Sequence, residues 1–132
     1  MTDPREILAR IRERADAATE GPWGWEDGRT LIAGGDPDVI VLESYGYDEA
    51  GIDVGDPADA ELIASSRTII PALLDALEPL LERHSPHEDS PDEDHLVCGG
   101  CYNADYGEYD PYPCEDVEII TKALKKVSNA LA

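Results

Sequence analysis

Three cysteines lie close together in the C-terminal third of this chain, at a spacing that suits metal binding. Two glycines separate Cys98 from Cys101, and Cys114 follows after twelve further residues. A Cys-x-x-Cys pair on a turn presents two thiolates to one ion, and glycines between them let the backbone amides point at the sulfurs. The pattern predicts one structural zinc ion.

The fourth ligand of such a site is less closely defined than the cysteines. His95 is the histidine nearest to the Cys-x-x-Cys pair, and we predict that it completes the site. His87, Asp105 and Asp110 are alternatives, and a water molecule in this position would leave the site open. Three unrelated reduced cysteines are the contrasting interpretation, which the spacing does not favour.

A catalytic zinc site would need motifs that this chain lacks. Zinc deaminases carry a His-x-Glu segment and a later Pro-Cys-x-x-Cys segment, whereas here Pro113-Cys114 stands alone after the pair. His87-Glu88 has no second histidine four residues after the first, as zinc hydrolases of that kind require. No βαβ unit surrounds the Cys-x-x-Cys pair to favour a redox role. The sequence predicts no catalytic residue and a protein that is not an enzyme.

Tyrosines and acidic residues alternate between the second and third cysteines. A wet, aromatic segment of this kind is typical of surfaces that bind a protein partner. Alternatively, some of the rings cover the zinc loop, where other apolar side chains are scarce. The predicted partner surface consists of Tyr102, Asp105, Tyr106, Glu108, Tyr109 and Asp110.

The elements that must position these residues begin with an N-terminal helix. Asp3 can cap it, Pro4 suits the first helical position, and Glu6 completes a capping box. Apolar residues then share one face up to about residue 18, and Gly21-Pro22 ends the helix.

A small sheet is expected next, because the period of the apolar residues changes. Trp23 and Trp25 alternate, Asp27-Gly28 is a hairpin signal, and residues 39–42 form a β-branched run. We predict a three-stranded antiparallel meander with both tryptophans on one side, usually a core side. Residues 44–56 are rich in glycine and acids and read as a loop.

Two consecutive helices are predicted after this loop. The first begins at Asp56-Pro57 and ends near Ser66, and the second carries a leucine-rich face up to about Arg83. Pro71 is the reason for dividing them, since proline lacks the N–H and clashes with the preceding turn.

Residues 84–132 complete an α+β fold, which we interpret as a single domain over residues 1–132. Residues 84–94 are acidic and contain prolines, which is typical of a linker or loop with no core residue. The subdomain 95–132 then combines the zinc knuckle with a final helix that begins at Glu115-Asp116.

The net charge of −20 is distributed unevenly. Residues 34–62 carry nine acids and residues 85–118 carry eleven, and neither stretch has a Lys or Arg. Such surfaces repel a polyanion, so the charge distribution disfavours direct nucleic-acid binding and favours a basic protein partner. Most of the basic residues lie on the two terminal helices: Arg5, Arg10, Arg12, Arg14, Lys122, Lys125 and Lys126.

The chain has no apolar stretch of the roughly 20 residues that a membrane span requires, and its N-terminus is charged. We therefore expect no membrane association. Three clustered cysteines without an export signal indicate metal binding in the cytoplasm and not a disulfide framework.

Two stretches resemble the Ead-like group of small accessory proteins of bacteriophages and actinobacteria, over roughly residues 5–82. They are Arg12-x-x-Ala15-x-x-Ala18-Thr19-x-Gly21-Pro22-Trp23 and Asp59-Ala60-Glu61-Leu62-Ile63-Ala64 with its following leucines. The cysteine-rich ending is similar to zinc-knuckle tails of actinophage proteins. The resemblance implies a phage or prophage origin and host-directed or regulatory work, in the cytoplasm of a bacterial host, and it carries over no catalytic residue.

These observations predict a non-enzymatic accessory protein that binds a host protein through an acidic, tyrosine-rich, zinc-ordered surface. The most specific version of this prediction is that the protein mimics DNA and so binds a DNA-binding protein of the host. The alternative is a small-molecule or nucleotide-binding protein, or a hydrolase with an open zinc, whose pocket lies between Trp23, Trp25 and the loop 44–56. The sequence does not define the oligomeric state.

Overall fold

The computed structural model describes residues 3–43, 54, 56–88 and 90–131. Its elements follow one another as α1 (Pro4–Ala17), β1 (Trp23–Glu26), β2 (Thr30–Ala33), β3 (Asp36–Leu42), α2 (Pro57–Arg83), β4 (Val97–Asn103), β5 (Glu108–Pro111), α3 (Glu115–Lys125) and a 3-10 turn (Ser128–Leu131). This confirms the predicted α+β class. Most of the predicted loop 44–56 lies outside the described residues.

The chain divides into two compact units. Met1–Ile11 and Leu74–Ala132 form one, here called the terminal unit, and Arg12–Leu73 form the other, the central unit. The helices α1 and α2 each contribute residues to both units. Every contact that carries the candidate site lies within the terminal unit.

Helix α1 begins as the sequence predicts. The carboxylate of Asp3 accepts a hydrogen bond from the backbone N–H of Arg5 at 2.9 Å, which satisfies one of the free donors at the helix start. Asp56 has the same role before α2, where it accepts from the N–H of Ala58 at 2.9 Å. Proline follows the capping aspartate in both helices, at the position that needs no N–H donor.

The predicted three-stranded meander is confirmed in the central unit. Strands β1 and β2 pair antiparallel, with Trp23 opposite Ala33 and Glu26 opposite Thr30. Asp27 and Gly28 both have positive φ, as the tight turn between these strands requires. The third strand starts at Asp36, earlier than predicted, and includes a proline. It pairs with β2 alone among the described strands, so this edge position tolerates a residue without an N–H.

Helix α2 corrects the prediction of two consecutive helices, because it runs unbroken through 27 residues. Pro71 and Pro79 both lie inside it. Proline removes one helical hydrogen bond but fixes φ near the helical value, and packing can offset that loss. Leu74 and Leu81, on either side of Pro79, are almost fully buried. We infer that their burial keeps the helix continuous.

The terminal unit has its own small core. Its buried apolar side chains come from three distant parts of the sequence, namely α1, the second half of α2, and α3 with the 3-10 turn: Ile7, Leu8, Leu74, Leu81, Val117, Leu124 and Leu131. Arg10 also donates a hydrogen bond from its guanidinium to the carbonyl of Leu131 at 2.6 Å. The start of α1 and the C-terminal end of the chain are therefore joined to the hairpin β4–β5 and to α3 in one unit.

Within the described ranges, the helices include none that is both long and apolar enough to cross a membrane.

Candidate metal centre

Four side chains with metal-binding donor atoms converge in the terminal unit. His84, Cys98, Cys101 and Cys114 each present one such atom, and these atoms all lie within 4.8 Å of one another. Cys98 is completely buried, and His84 is only 7% exposed. Cys114 is also buried and Cys101 is half-buried, and none of the three cysteines is in a disulfide. One imidazole and three thiols at these distances are a metal-binding group.

His84 reaches this group from the end of α2. It directly follows the last helical residue, and its backbone N–H continues the helical pattern by donating to the carbonyl of Leu80 at 3.1 Å. At this position His84 follows Leu74 and Leu81 by ten and three residues, which places it on the buried face of the helix.

The ring of His84 points one nitrogen at all three sulfurs. Its Nδ1 lies 3.4 Å from the Sγ atoms of Cys98 and Cys101 and 3.5 Å from the Sγ of Cys114. Because these distances are nearly equal, one metal ion could lie close to all four donor atoms. The other nitrogen, Nε2, faces the carboxylate of Asp116 at 3.6 Å. A carboxylate behind a ligating histidine orients the ring and fixes its tautomer.

An irregularity in the hairpin β4–β5 brings two of the cysteines to the centre. Between its pairings with β5, β4 advances five residues, from Val97 to Tyr102, while β5 advances two, from Pro111 to Tyr109. The extra residues of β4 are those around Cys98 and Cys101, which leave the regular ladder there. The predicted zinc knuckle is thus a bulged strand of a hairpin.

The glycines between these cysteines allow the backbone to approach His84. A Cβ added to Gly100 would lie 2.7 Å from the carbonyl oxygen of Arg83 and 2.9 Å from the Nδ1 of His84. A Cβ on Gly99 would meet the ring of His87 at 3.3 Å. Gly100 in particular has no room for a side chain, because the Arg83 carbonyl and the His84 nitrogen occupy that space.

The segment after α2 is fixed against β4 by backbone hydrogen bonds. The N–H of Gly99 donates to Ser85 at 2.9 Å, and the N–H of His87 donates to Val97 at 2.8 Å. Pro86 also forms an isolated bridge with Cys98. The first residues of the predicted linker 84–94 therefore hold a strand-like position, and the expectation that this segment contributes no core residue is wrong for His84.

Cys114 stands at the N-cap position of α3. Its side chain makes no capping hydrogen bond to the helix and points towards His84 instead. The positive end of the helix dipole favours a thiolate at this position. The sequence predicted this placement of the third cysteine.

Two of the thiols, Cys98 and Cys101, have raised pKa values and do not ionise readily without a cation beside them. Burial raises the pKa of Cys98, and a hydrogen bond from the Gly100 backbone acts against that rise. Burial, together with the neighbouring Cys98 and Cys114, raises the pKa of Cys101 to about 12. Since the thiolate is the form that binds metal, a bound cation would supply the charge that this cluster lacks.

His95, the predicted fourth ligand, is not part of this group. Its side chain is 72% exposed, and its Nδ1 contacts the carboxylate of Asp92 at 2.7 Å. His84 occupies the fourth position, which was predicted for His95. His95 was predicted because it is the histidine nearest to the Cys-x-x-Cys pair in the sequence. His84 stands at the end of the apolar face of a helix, and that position was the signal that its side chain is buried.

The alternative fourth ligands also lie elsewhere. The ring of His87 stacks on Tyr109, with ring centres 4.5 Å apart. Asp105 and Asp110 are exposed residues of the hairpin and do not belong to the four-residue group.

The predicted partner surface lies on the hairpin β4–β5 and its turn. Tyr102 is 58% exposed and Tyr106 is 78% exposed, whereas Tyr109 is half-buried between Tyr102 and His87. The three carboxylates of this surface are exposed: Asp105, Glu108 and Asp110. Tyr109 thus packs against neighbouring rings, while Tyr102 and Tyr106 face solvent.

The two tryptophans of the alternative pocket have structural hydrogen bonds in the central unit. The indole N–H of Trp23 donates to the carbonyl of Thr19 at 3.0 Å, and that of Trp25 donates to the carbonyl of Ala60 at 2.8 Å. Residues 44–53, which were expected to close that pocket, lie outside the described residues.

Comparison with known proteins finds no relative from which a function can be transferred. No protein-family model, no curated protein and no solved structure matches this chain. The resemblance to Ead-like proteins stays a prediction.

Proposed function

We propose that this protein is a non-enzymatic binding protein in which one structural zinc ion orders a hairpin that engages a protein partner. The observation that carries the proposal is the group of His84, Cys98, Cys101 and Cys114. Two of its members, Cys98 and Cys101, lie on strand β4 of the hairpin that also carries the exposed tyrosines and carboxylates.

Zinc is the metal that this donor set and geometry favour. Tetrahedral coordination with Zn–S bonds of about 2.3 Å and a Zn–N bond of about 2.0 Å separates nitrogen from sulfur by about 3.5 Å. The distances from His84 Nδ1 to the three sulfurs are 3.4, 3.4 and 3.5 Å. Three thiolates and one imidazole are also typical structural zinc ligands, and thiolates exclude Mg²⁺ and Ca²⁺.

A structural role follows from the number of protein donors. Four protein ligands complete a tetrahedral site, so no position is left for a water molecule or a substrate. We therefore propose that the zinc holds α2, the hairpin and α3 together and does no chemistry. Thiolate ligands suit a reducing compartment, which we propose is the cytoplasm of a bacterial host.

The hairpin supports binding of a basic protein. Tyr102 and Tyr106 offer large side chains with an apolar body and a polar end, the kind that interfaces use as anchors. The exposed carboxylates around them would attract a positively charged partner and align it. That the partner belongs to a bacterial host rests on the resemblance to Ead-like phage proteins, and a DNA-binding host protein is the most specific form of this proposal.

The test is affinity capture from bacterial lysate with the zinc-loaded chain at low salt, read by quantitative mass spectrometry. We expect wild type to retain a basic protein, the double variant Tyr102→Ser with Tyr106→Ser to lose it, and duplex DNA to compete for it if that protein binds DNA.

A charge-matched pair of triple variants separates the hairpin from the acidity of the chain as a whole. One variant neutralises Asp105, Glu108 and Asp110 as Asn, Gln and Asn, and the control changes three exposed acids elsewhere, Glu13→Gln, Asp16→Asn and Glu61→Gln. The hairpin variant should release the partner and the control should keep it. Equal capture by both variants, or no specific capture by wild type, would overturn the proposal.

A further inference from the structure

A second candidate site lies in the terminal unit, next to the metal centre but separate from its donor atoms. A cavity of about 500 Å³ opens there among residues from the start of α1, from the segments before and after the hairpin, and from α3. This volume falls within the roughly 300–1,000 Å³ that is usual for sites of small organic ligands. None of the four metal-binding residues lines it.

One part of the cavity wall is apolar. Pro86, Leu96, Pro113 and Val117 contribute aliphatic surface, and the half-buried Tyr112 contributes an aromatic ring. Val117 is nearly fully buried and belongs to the core of the unit, so this part of the wall is fixed by packing. A ligand that fills this space must have an apolar body.

Another part of the cavity wall, along α3, is positively charged, because two lysines line the cavity there. Lys122 and Lys125 are exposed, and neither forms an ion pair with any residue in the described ranges. They are one helical turn apart, so both side chains project from one face of α3. The cavity therefore offers two ammonium groups to an anionic ligand, although the chain as a whole has a net charge of −20.

The remaining charges restrict the ligand further. Arg5 lines the cavity but is paired with Asp3, from Nε to Oδ1 at 3.3 Å, and Asp3 and Glu118 also line it. Two carboxylates beside the lysines would repel a ligand that carries several negative charges, such as a nucleoside polyphosphate. A ligand with a single negative charge avoids most of that repulsion.

We propose that this cavity binds a small organic monoanion, a carboxylate or sulfonate on an aromatic or aliphatic body. The anionic group contacts Lys122 and Lys125, and the body lies against Leu96, Tyr112 and Val117. This site is independent of the proposed hairpin surface, since either can be correct without the other.

The experiment is a fluorescence titration of the zinc-loaded chain with anilinonaphthalene sulfonate, an aromatic monoanion whose emission rises in apolar surroundings. We expect saturable binding of one dye per chain. Lys122→Gln and Lys125→Gln should each weaken it by roughly tenfold, as expected for loss of a charged contact.

Lys126→Gln is the matched control, because it removes the same charge at the C-cap of the same helix, from a residue that does not line the cavity. It should leave binding unchanged. The uncharged analogue phenylnaphthylamine should bind wild type at least several-fold more weakly than the sulfonate, because it has no group for the lysines.

Equal dye affinity in wild type and in Lys122→Gln and Lys125→Gln would overturn the proposal. Non-saturable binding, or equally tight binding of the uncharged analogue, would overturn it as well. Circular dichroism of each variant shows that the fold is kept, as expected for exchanges of exposed lysines.

Discussion

The three-stranded sheet and the metal-binding region are ordered by different physical means. Neighbouring strands in the sheet pair through short turns, and Leu31, Ile32 and Ala33 form its buried strand. The region from His84 to Cys114 has few aliphatic side chains, and a buried imidazole and thiols take their place at its centre. Where apolar residues are scarce, a metal ion can supply the free energy that a small core cannot.

Removal of the metal should produce the largest difference in stability between these two regions. Structural zinc contributes on the order of 10 kcal/mol to the domains that bind it, so Cys98→Ser or chelation should unfold the hairpin β4–β5 and release α3. The sheet should persist, because no contact within it involves the metal ligands. Amide hydrogen exchange by NMR measures both regions in one sample.

The control for this change is reversal with zinc. Added zinc should restore protection of the hairpin amides in the chelated wild type but not in Cys98→Ser. Loss of protection that is equal in the sheet and the hairpin would contradict the distinction between the two regions.

A methyl group at Gly100 should have the next largest effect. It would meet the Arg83 carbonyl and the His84 ring at less than 3.0 Å, so Gly100→Ala should cost about 1–3 kcal/mol and weaken metal binding. Gly24→Ala in β1 is the matched control, since a Cβ there has no neighbour within 4 Å. Urea unfolding and zinc competition of the two variants check this, and equal effects would show that Gly100 is not constrained by His84.

Trp25→Phe should affect the central unit alone. The change leaves the carbonyl of Ala60 without its 2.8 Å hydrogen bond from the indole, at a cost of about 1–2 kcal/mol. Zinc affinity should equal that of wild type, because the metal ligands all belong to the terminal unit. Urea unfolding followed by the remaining Trp23 measures the stability change. A weakened zinc site in this variant would show that the two regions are coupled.

Among the changes made at the metal centre itself, Asp116→Asn should have the smallest effect. Loss of a carboxylate behind a ligating histidine weakens metal binding by about tenfold or more, and the low end is expected here because Asp116 is exposed and 3.6 Å from Nε2. Glu115→Gln, one residue earlier and also exposed, is the control for net charge. Competition with a chromophoric chelator distinguishes them, and identical affinities would remove Asp116 from the site.

Much of the fold was predictable because its signals are local. Two helix starts were predicted from Asp-Pro pairs, at Asp3-Pro4 and Asp56-Pro57, and the first hairpin was predicted from Asp27-Gly28. The spacing of the three cysteines predicted the metal centre. Each of these depends on neighbouring residues only. The continuous α2 was not predictable in this way, since the burial of Leu74 and Leu81 outweighs the local effects of Pro71 and Pro79.

The fourth metal ligand and the cavity depend on contacts between distant parts of the chain. His84 lies fourteen residues before Cys98 and reaches it because residues 85–87 return alongside β4. His95 is nearer in sequence but follows three acidic residues, a context typical of an exposed segment. The cavity combines Arg5 with Lys122 and Lys125 from the opposite end of the chain, which no spacing rule brings together.

The most direct test of the central claim is native mass spectrometry of wild type, His84→Ala and His95→Ala, each titrated with zinc against a competing chelator. We predict one zinc per chain in wild type and in His95→Ala, and a weakening of at least about tenfold in His84→Ala, since one of four ligands is lost. Wild-type affinity in His84→Ala, with loss of zinc in His95→Ala, would contradict the account.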